Sequence, residues 1–313
     1  MKNYSFLMFV IILGLPLLLA GCASKDLETK NTFDYEREMD KQRVLHEVED
    51  EFLSEKVERT AANYEKMADA HLKSGDVNQA FVYYNKALAS VPESDRLIHK
   101  VGICWLKKKR YDEAEKIIKY ALSLNPQPPI YYENLGRAYF GSQKIEQAEN
   151  AFATALEKDA DLIFPYVFLG LIFGNRGDYD KATTFYQQAL QLDSKNIAAL
   201  NNLALTYFMQ GKPKEALVLL NRLSLLQPNN EKISNNLGLL YCRLNKYDQA
   251  TVSFKSAADA EATAYNNLGY ELLRDKKYQA ALSALEKAVS LNPKFYEKAQ
   301  HNIRLTEQAM EQE

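Results

Sequence analysis

Residues 163–196 read IFPYVFLGLIFGNRGDYDKATTFYQQALQLDSKN, and this stretch decides the fold. Tyr166, Leu169, Gly170 and Phe173 fall three or four apart. Gly177-Asp178-Tyr179-Asp180 breaks the run, and Ala182, Tyr186, Ala189 and Leu190 resume it as far as Asp193. Apolar side chains at that spacing line one face of a helix, so the stretch predicts two helices joined by a turn. Gly177 suits the left-handed residue just past a helix end, and Asp180 suits the N-cap of the second helix. Gly170, Ala182 and Ala189 are small where the helices cross, which leaves Tyr166, Phe173, Tyr179 and Tyr186 to fill the gaps. A lone hairpin cannot bury its own apolar stripe, whereas copies stacked on one another can.

The copies are present. The alanine after the turn recurs at Ala80, Ala114, Ala148, Ala182, Ala216 and Ala250, each step being 34 residues, and Ala281 follows after 31. Three places before it stand Val77, Tyr111, Ile145, Tyr179, Pro213, Tyr247 and Tyr278; twelve places before it stand Ala68, Gly102, Gly136, Gly170, Ala204, Gly238 and Gly269. Seven places after it, alanine recurs in six of seven units, with Leu223 the exception. The period and these residues resemble the tetratricopeptide repeat (TPR) family. Tyr132-Glu133-Asn134-Leu135-Gly136 with Tyr139, and Tyr265-Asn266-Asn267-Leu268-Gly269, match the start of its motif. Pro92, Pro126, Pro228 and Pro293 stand at its closing proline, replaced by Ala160 and Ser194 in two units. The resemblance implies an all-α, right-handed superhelical solenoid of seven helix–turn–helix repeats over residues 61–295. The sixth unit is three residues short after Ala257, so its second helix or the loop after it is clipped. The fifteenth position of the units is Gly75, Lys109, Gln143, Gly177, Gly211, Asn245 and Lys276, where a left-handed backbone is expected; a residue other than Gly or Asn loses roughly 1–2 kcal/mol by adopting it.

The flanks differ from the repeats. Residues 1–21 carry one charge, Lys2, and an apolar run from Phe6 to Leu19 that is short for a membrane span and suits a signal peptide. The run ends in Leu19-Ala20-Gly21-Cys22, similar to a bacterial lipobox, which implies cleavage before Cys22 and lipidation of its thiol. Ala23 in place of aspartate is, by resemblance to enterobacterial lipoproteins, a signal for the outer membrane, facing the periplasm. Residues 22–33 read as a flexible tether. Residues 34–60 are rich in charge, with Leu45, Val48 and Phe52 in helical phase, and read as a helical arm that caps the first repeat or meets a partner. Residues 296–313 carry Tyr296, Ala299, Ile303, Thr306 and Met310 in rough helical phase, as a C-terminal capping helix would.

No catalytic constellation emerges. His46, His71, His99 and His301 do not lie at metal-ligand spacing with one another or with a cysteine, and no cofactor or metal is implied. Glu113 and Glu115 read as first-turn acids, in a capping-box pattern with Asp112. With 39 basic and 41 acidic residues the chain offers no general attraction for nucleic acid, and nothing points to a small-molecule substrate. Cys104 beside Trp105 reads as core, while Cys242 is expected towards the groove.

What the TPR resemblance implies is a concave face lined by the first helices. Its early repeats present Glu65, Asp69, Arg96, His99, Glu133 and Arg137, with Ile103, Leu106 and Phe140 among them. The later repeats present Phe164, Val167 and Leu171, then Asn201, Leu205 and Phe208, then Asn235 and Leu239 with Cys242, then Asn266 and Tyr270 with Leu273. That half reads as an apolar trough with one amide per repeat, suited to an extended or helical segment of a protein partner. Asn202, Asn236 and Asn267 read instead as braces between helices. Glu65 and Asp69 would repel the terminal carboxylate that chaperone-binding TPR domains clamp. A lipid-anchored TPR chain is similar to type IV pilotins and TadD-type lipoproteins, which implies a non-catalytic scaffold or assembly factor for a pilus or secretin machine. The other readings are an adaptor for peptidoglycan hydrolases or proteases and a component of an exopolysaccharide export complex.

Overall fold

The structure is a computed structural model that describes residues 60–257, 261–292 and 296–312. The expected leader and tether, and the arm as far as residue 59, lie outside these residues, and Cys22 with them. Fifteen α-helices, and no strand, occur among the described residues. They form seven hairpins and a final helix.

The first hairpin, α1 (Ala61–Ser74) packed on α2 (Val77–Ser90), belongs to one compact unit, and the other thirteen helices form a second. In that second unit the hairpins are α3 (Asp95–Lys107) with α4 (Tyr111–Leu124), α5 (Pro129–Gly141) with α6 (Ile145–Lys158), α7 (Ile163–Asn175) with α8 (Tyr179–Leu192), α9 (Ile197–Met209) with α10 (Pro213–Leu226), α11 (Glu231–Arg243) with α12 (Tyr247–Ala257), and α13 (Glu261–Arg274) with α14 (Tyr278–Leu291). Helix α15 (Tyr296–Glu311) packs on α14 and α13, with Ala299 and Thr306 fully buried. Helix α12 is described over eleven residues where α10 and α14 have fourteen, and residues 258–260, where the sixth unit falls short, lie outside the described residues.

Five of the seven hairpins close on a glycine with a bulky residue laid against it, and Ala68 and Ala204 stand in its place in the other two. A methyl group added at Gly170 would lie 2.6 Å from the ring of the buried Tyr186, and Gly136 and Gly238 meet Phe152 and Phe254 in the same way. In these hairpins the helices approach until the ring lies on bare backbone, and Gly102 and Gly269 meet Ile118 and Leu285 in the same place, so a glycine with a bulky residue sixteen places on closes five of the units. Clusters then run across hairpin boundaries: Leu200 and Ala204 of α9 share a core with Ala216, Leu220 and Leu223 of α10 and with Ile233, Leu237 and Leu240 of α11.

All seven residues at the fifteenth position have positive φ, from 57° at Lys109 to 93° at Gly75. At six of the turns the same two bonds close the helix, as where Lys109 N–H donates to the Leu106 carbonyl and Arg110 N–H to the Trp105 carbonyl. The second helix starts at once, on the bulky residue three places before the conserved-phase alanine. The N-cap after Gly177 is therefore Asp178, whose carboxylate accepts from Lys181 N–H; Asp180 lies inside the helix and accepts instead from the Gln210 side chain of the next repeat. The capping box expected at Asp112 is likewise not formed, because Asp112 accepts from Ser142 and Lys144 of the following hairpin. Turn acids here tie repeat to repeat.

Candidate functional site

First helices of successive hairpins in the second unit touch directly: α3 with α5, α5 with α7, α7 with α9, α11 with α13 and α13 with α15. Among the described residues no pair of second helices packs to the same extent. Helices that converge on one side and splay on the other curve the stack, with the first helices on its concave side.

That layer is held by a side-chain brace that recurs with the repeat. The Asn134 amide donates to Nε2 of His99 at 3.0 Å and to the Ile130 carbonyl, while its oxygen accepts from Arg137. This fixes the amide's orientation and makes Nε2 of His99 an acceptor, with the ring neutral and its proton on Nδ1. The imidazole is buried and stacks on Tyr131 with 4.1 Å between ring centres, and burial pushes its pKa down to about 4. Tyr131 in turn donates to Asp95, as Asn125 does. Burial pushes the Asp95 carboxyl up, but those two hydrogen bonds together with backbone N–H groups of Asp95 and Arg96 outweigh it and hold the group below its ordinary range. Asn267 repeats the brace by donating to Asn235 at 3.3 Å, and Asn302 of α15 repeats it by donating to Asn266 at 3.0 Å. In α9, Asn201 donates to its neighbour Asn202.

The ten residues expected to line the trough therefore divide. Phe164, Leu205 and Tyr270 are exposed (55%, 38% and 42%), and Leu171, Phe208 and Leu239 are half-buried on the same helix layer. Val167 is buried in the core between α7, α8 and α9, because the fifth position of α7 turns towards Ala199 and Leu203 rather than outward. Asn266 is also buried and its oxygen holds Asn302, while Asn235 and Asn201 are half-buried, the first accepting from Asn267 and the second donating to Asn202. Cys242 is fully buried against Ala250, Phe254 and Leu268, not turned to the groove, and burial with nearby Glu271 and Asp275 pushes its thiol up to about 12. Cys104 is fully buried too, its thiol pushed up to about 11 by burial.

In the early repeats Glu133 is buried beneath Arg137, and burial raises its carboxyl above the usual range. In the first hairpin Glu65 is buried and Asp69 accepts from the Tyr84 hydroxyl. Two basic groups lie against rings of this layer, Arg137, which the sequence pattern placed on it, and Arg243, which the pattern did not. The Arg137 guanidinium stands 5.9 Å from the ring centre of Phe164, and that of Arg243 stands 5.5 Å from Phe208. Arg243 occupies the position just after the last one read as groove-lining, which is why the pattern passed over it.

A family model described as the cilia and flagella-associated protein 70 C-terminal domain matches residues 36–267. The chain belongs to that family. A tetratricopeptide repeat model matches residues 262–295, so the last repeat of this TPR chain is recognised independently. Among solved structures, the APC/C hetero-tetramer Cut9–Hcn1 matches with a TM-score of 0.60 and 20% identity over 85% of this chain, which spans about half (52%) of that one. A TPR protein from Parabacteroides merdae matches with a TM-score of 0.53 and 20% identity, covering 80% of this chain and 99% of that one. PilW, a type IV pilus biogenesis factor, matches with a TM-score of 0.57 and 17% identity over 63% of this chain and 91% of its own. No curated protein matches significantly. At these identities the likeness is one of fold. The TPR chain is thus an all-α stack of the kind used for protein–protein contact, with exposed apolar side chains on both helix layers, Phe164, Leu205 and Tyr270 on the first helices and Val218, Leu225 and Val252 on the second. Among the described residues no cluster of metal-ligating side chains occurs, and no helix is long and apolar enough to cross a membrane.

Proposed function

We propose that the chain is a lipid-anchored TPR scaffold that captures a segment of a partner protein on its first-helix layer, as an assembly factor for a pilus or secretin machine at the outer membrane. The observation that carries the capture is the row of exposed apolar side chains, Phe164, Leu205 and Tyr270, at matching faces of α7, α9 and α13. Exposed apolar side chains that recur on one face of successive first helices suit a partner contact better than scattered single ones do. The anchor rests on Leu19-Ala20-Gly21-Cys22. Two or more acyl chains on Cys22 hold a protein at the bilayer durably, and confinement raises the effective concentration of the face towards a membrane partner. That the same fold serves the type IV pilus biogenesis factor PilW is consistent with the machine suggested here.

The test has two arms in cells. Alkyne-fatty-acid labelling should mark the wild-type chain and not Cys22→Ser; equal labelling removes the anchor from the proposal. Leu205→Glu with Tyr270→Glu, folded by thermal melt, should halt secretin-ring assembly as fully as deletion does. Intact rings with a defect in wall hydrolysis would move the function to an adaptor of envelope enzymes.

A further inference from the structure

The braces between first helices follow one rule. An asparagine at the sixth position of a unit, or its counterpart on α15, donates to the fifth position of the unit before: Asn134 to His99, Asn267 to Asn235 and Asn302 to Asn266. The junction between α9 and α11 carries both residues the rule asks for, Asn201 at the fifth position and Asn236 at the sixth. The bond is not made there. Asn201 donates along its own helix to Asn202 at 3.3 Å, and no other hydrogen bond of the Asn201 or Asn236 side chain occurs among the described residues. The cause lies one unit back. Asn202 is itself a sixth-position amide, but the fifth position before it is Val167, which offers no acceptor. Asn202 is therefore free to turn, and its oxygen takes the Asn201 NH2. An amide is planar, with its donor and acceptor on opposite arms, so an NH2 aimed along α9 turns the Asn201 oxygen off the line to α11.

Packing agrees with the missing bond. Helices α9 and α11 meet less extensively than any other successive pair of first helices in the second unit. Behind them the core is continuous, since Leu200 of α9, Leu220 and Leu223 of α10, and Ile233 and Leu240 of α11 belong to one buried cluster. On the first-helix side Arg243 reaches across to Phe208. A junction packed on one side and loose on the other has the build of a hinge.

We propose that the α9–α11 junction is a hinge with a built-in latch, open while Asn201 is bonded to Asn202 and closed when Asn201 accepts instead from Asn236. Its movement sets the spacing of Leu205 and Phe208 on α9 from Leu239 on α11, and so changes the first-helix layer without changing a residue on it. The hinge does not depend on what that layer binds. One such hydrogen bond moves an equilibrium about two- to tenfold, enough to shift the two forms and too little to lock either.

The experiment measures the distance between spin labels at Ala198→Cys and Lys232→Cys by electron paramagnetic resonance, in the full chain carrying Cys22→Ser. Both sites are exposed and lie in the first turns of α9 and α11. The remaining native thiols, Cys104 and Cys242, are fully buried. Asn202→Ala releases Asn201 and should draw the labels together by roughly 2 Å, the size of shift that packed helices make, with a narrower distribution. Asn236→Ala alone should leave the starting distribution unchanged, and added to Asn202→Ala should restore it. Val167→Asn, which gives Asn202 an acceptor of its own, is a second route to the closed form if a thermal melt shows Asn202→Ala to be unfolded. The hinge is overturned if neither variant moves the labels, if the shift survives the addition of Asn236→Ala, or if Asn236→Ala alone broadens the distribution, which would mean that the brace is already made.

Discussion

Gly170 and Gly174 lie on one helix and should respond to alanine in opposite directions. At Gly170 the new methyl meets the Tyr186 ring at 2.6 Å, and that ring is buried and cannot swing aside. Overpacking of this kind costs about 1–3 kcal/mol, more than the helix propensity gained, so Gly170→Ala should lower the urea midpoint. At Gly174 the methyl would rest 3.7 Å from Ala182, an ordinary contact, and the propensity gain of up to about 1 kcal/mol should raise it. Two variants that move together would contradict the contact as the reason for glycine. Gln143, with φ of 61°, and Lys109, with φ of 57°, give a third test. Glycine at either relieves a left-handed backbone, partly offset by a freer unfolded chain, and should stabilise by about 0.5–1 kcal/mol in the same titration. These positions were legible in the sequence, because close approach and left-handed turns recur in phase with the repeat. Asp112 and Asp180 were not, since an acid at a helix start has two outlets, its own backbone or the next repeat, and spacing along one chain does not separate them.

A hairpin in this stack is joined to the next by polar braces as well as by its core, and the His99–Asn134 brace should register in pH. The neutral ring is the folded form. Between its ordinary pKa of 6.5 and the folded value of about 4, the unfolded chain takes up a proton at this site and the folded chain does not. Stability is therefore full above that window and is lost as pH falls through it, by roughly 3 kcal/mol at most. The raised carboxyls of Glu133 and Glu271 act in the opposite sense, since the folded state holds their protons more readily and gains as pH falls through their folded values. His99→Gln keeps an acceptor for Asn134 without a titrating ring. Its denaturation midpoint should fall less than the wild type's between pH 7 and pH 5, and parallel curves would contradict the assignment. The buried thiols of Cys104 and Cys242 should stay unmodified by a maleimide in the native chain and react once denaturant opens their hairpins. Helix count and phase were legible at this scale from the 34-residue period. The braces were only half legible: an asparagine on a first helix looks the same whether it meets a ligand or its neighbour's amide, and Asn235 and Asn266 meet a neighbour.

At the scale of the molecule, the repeat that makes the fold easy to read makes the function hard to read. The in-phase residues, such as Ala182, Gly170 and Tyr186, carry packing, and a partner is recognised by the residues that break phase. Phe164, Leu205 and Tyr270 lie outside the positions that carry packing, and their exposure rather than their identity distinguishes them from the core. Arg243 became visible only through its contact with Phe208 across a repeat boundary. The second helices supply the comparison surface, because Val218 and Val252 are exposed too, at 68% and 66%, on the opposite layer. The account holds that the first-helix layer, and not exposed apolar surface in general, takes the partner. The most direct measurement is photo-crosslinking in cells with the probe at Leu205 and, in a second strain, at Val218. A discrete protein adduct is expected from Leu205 and none from Val218. Equal adducts from the two positions, or an adduct from Val218 alone, would contradict it.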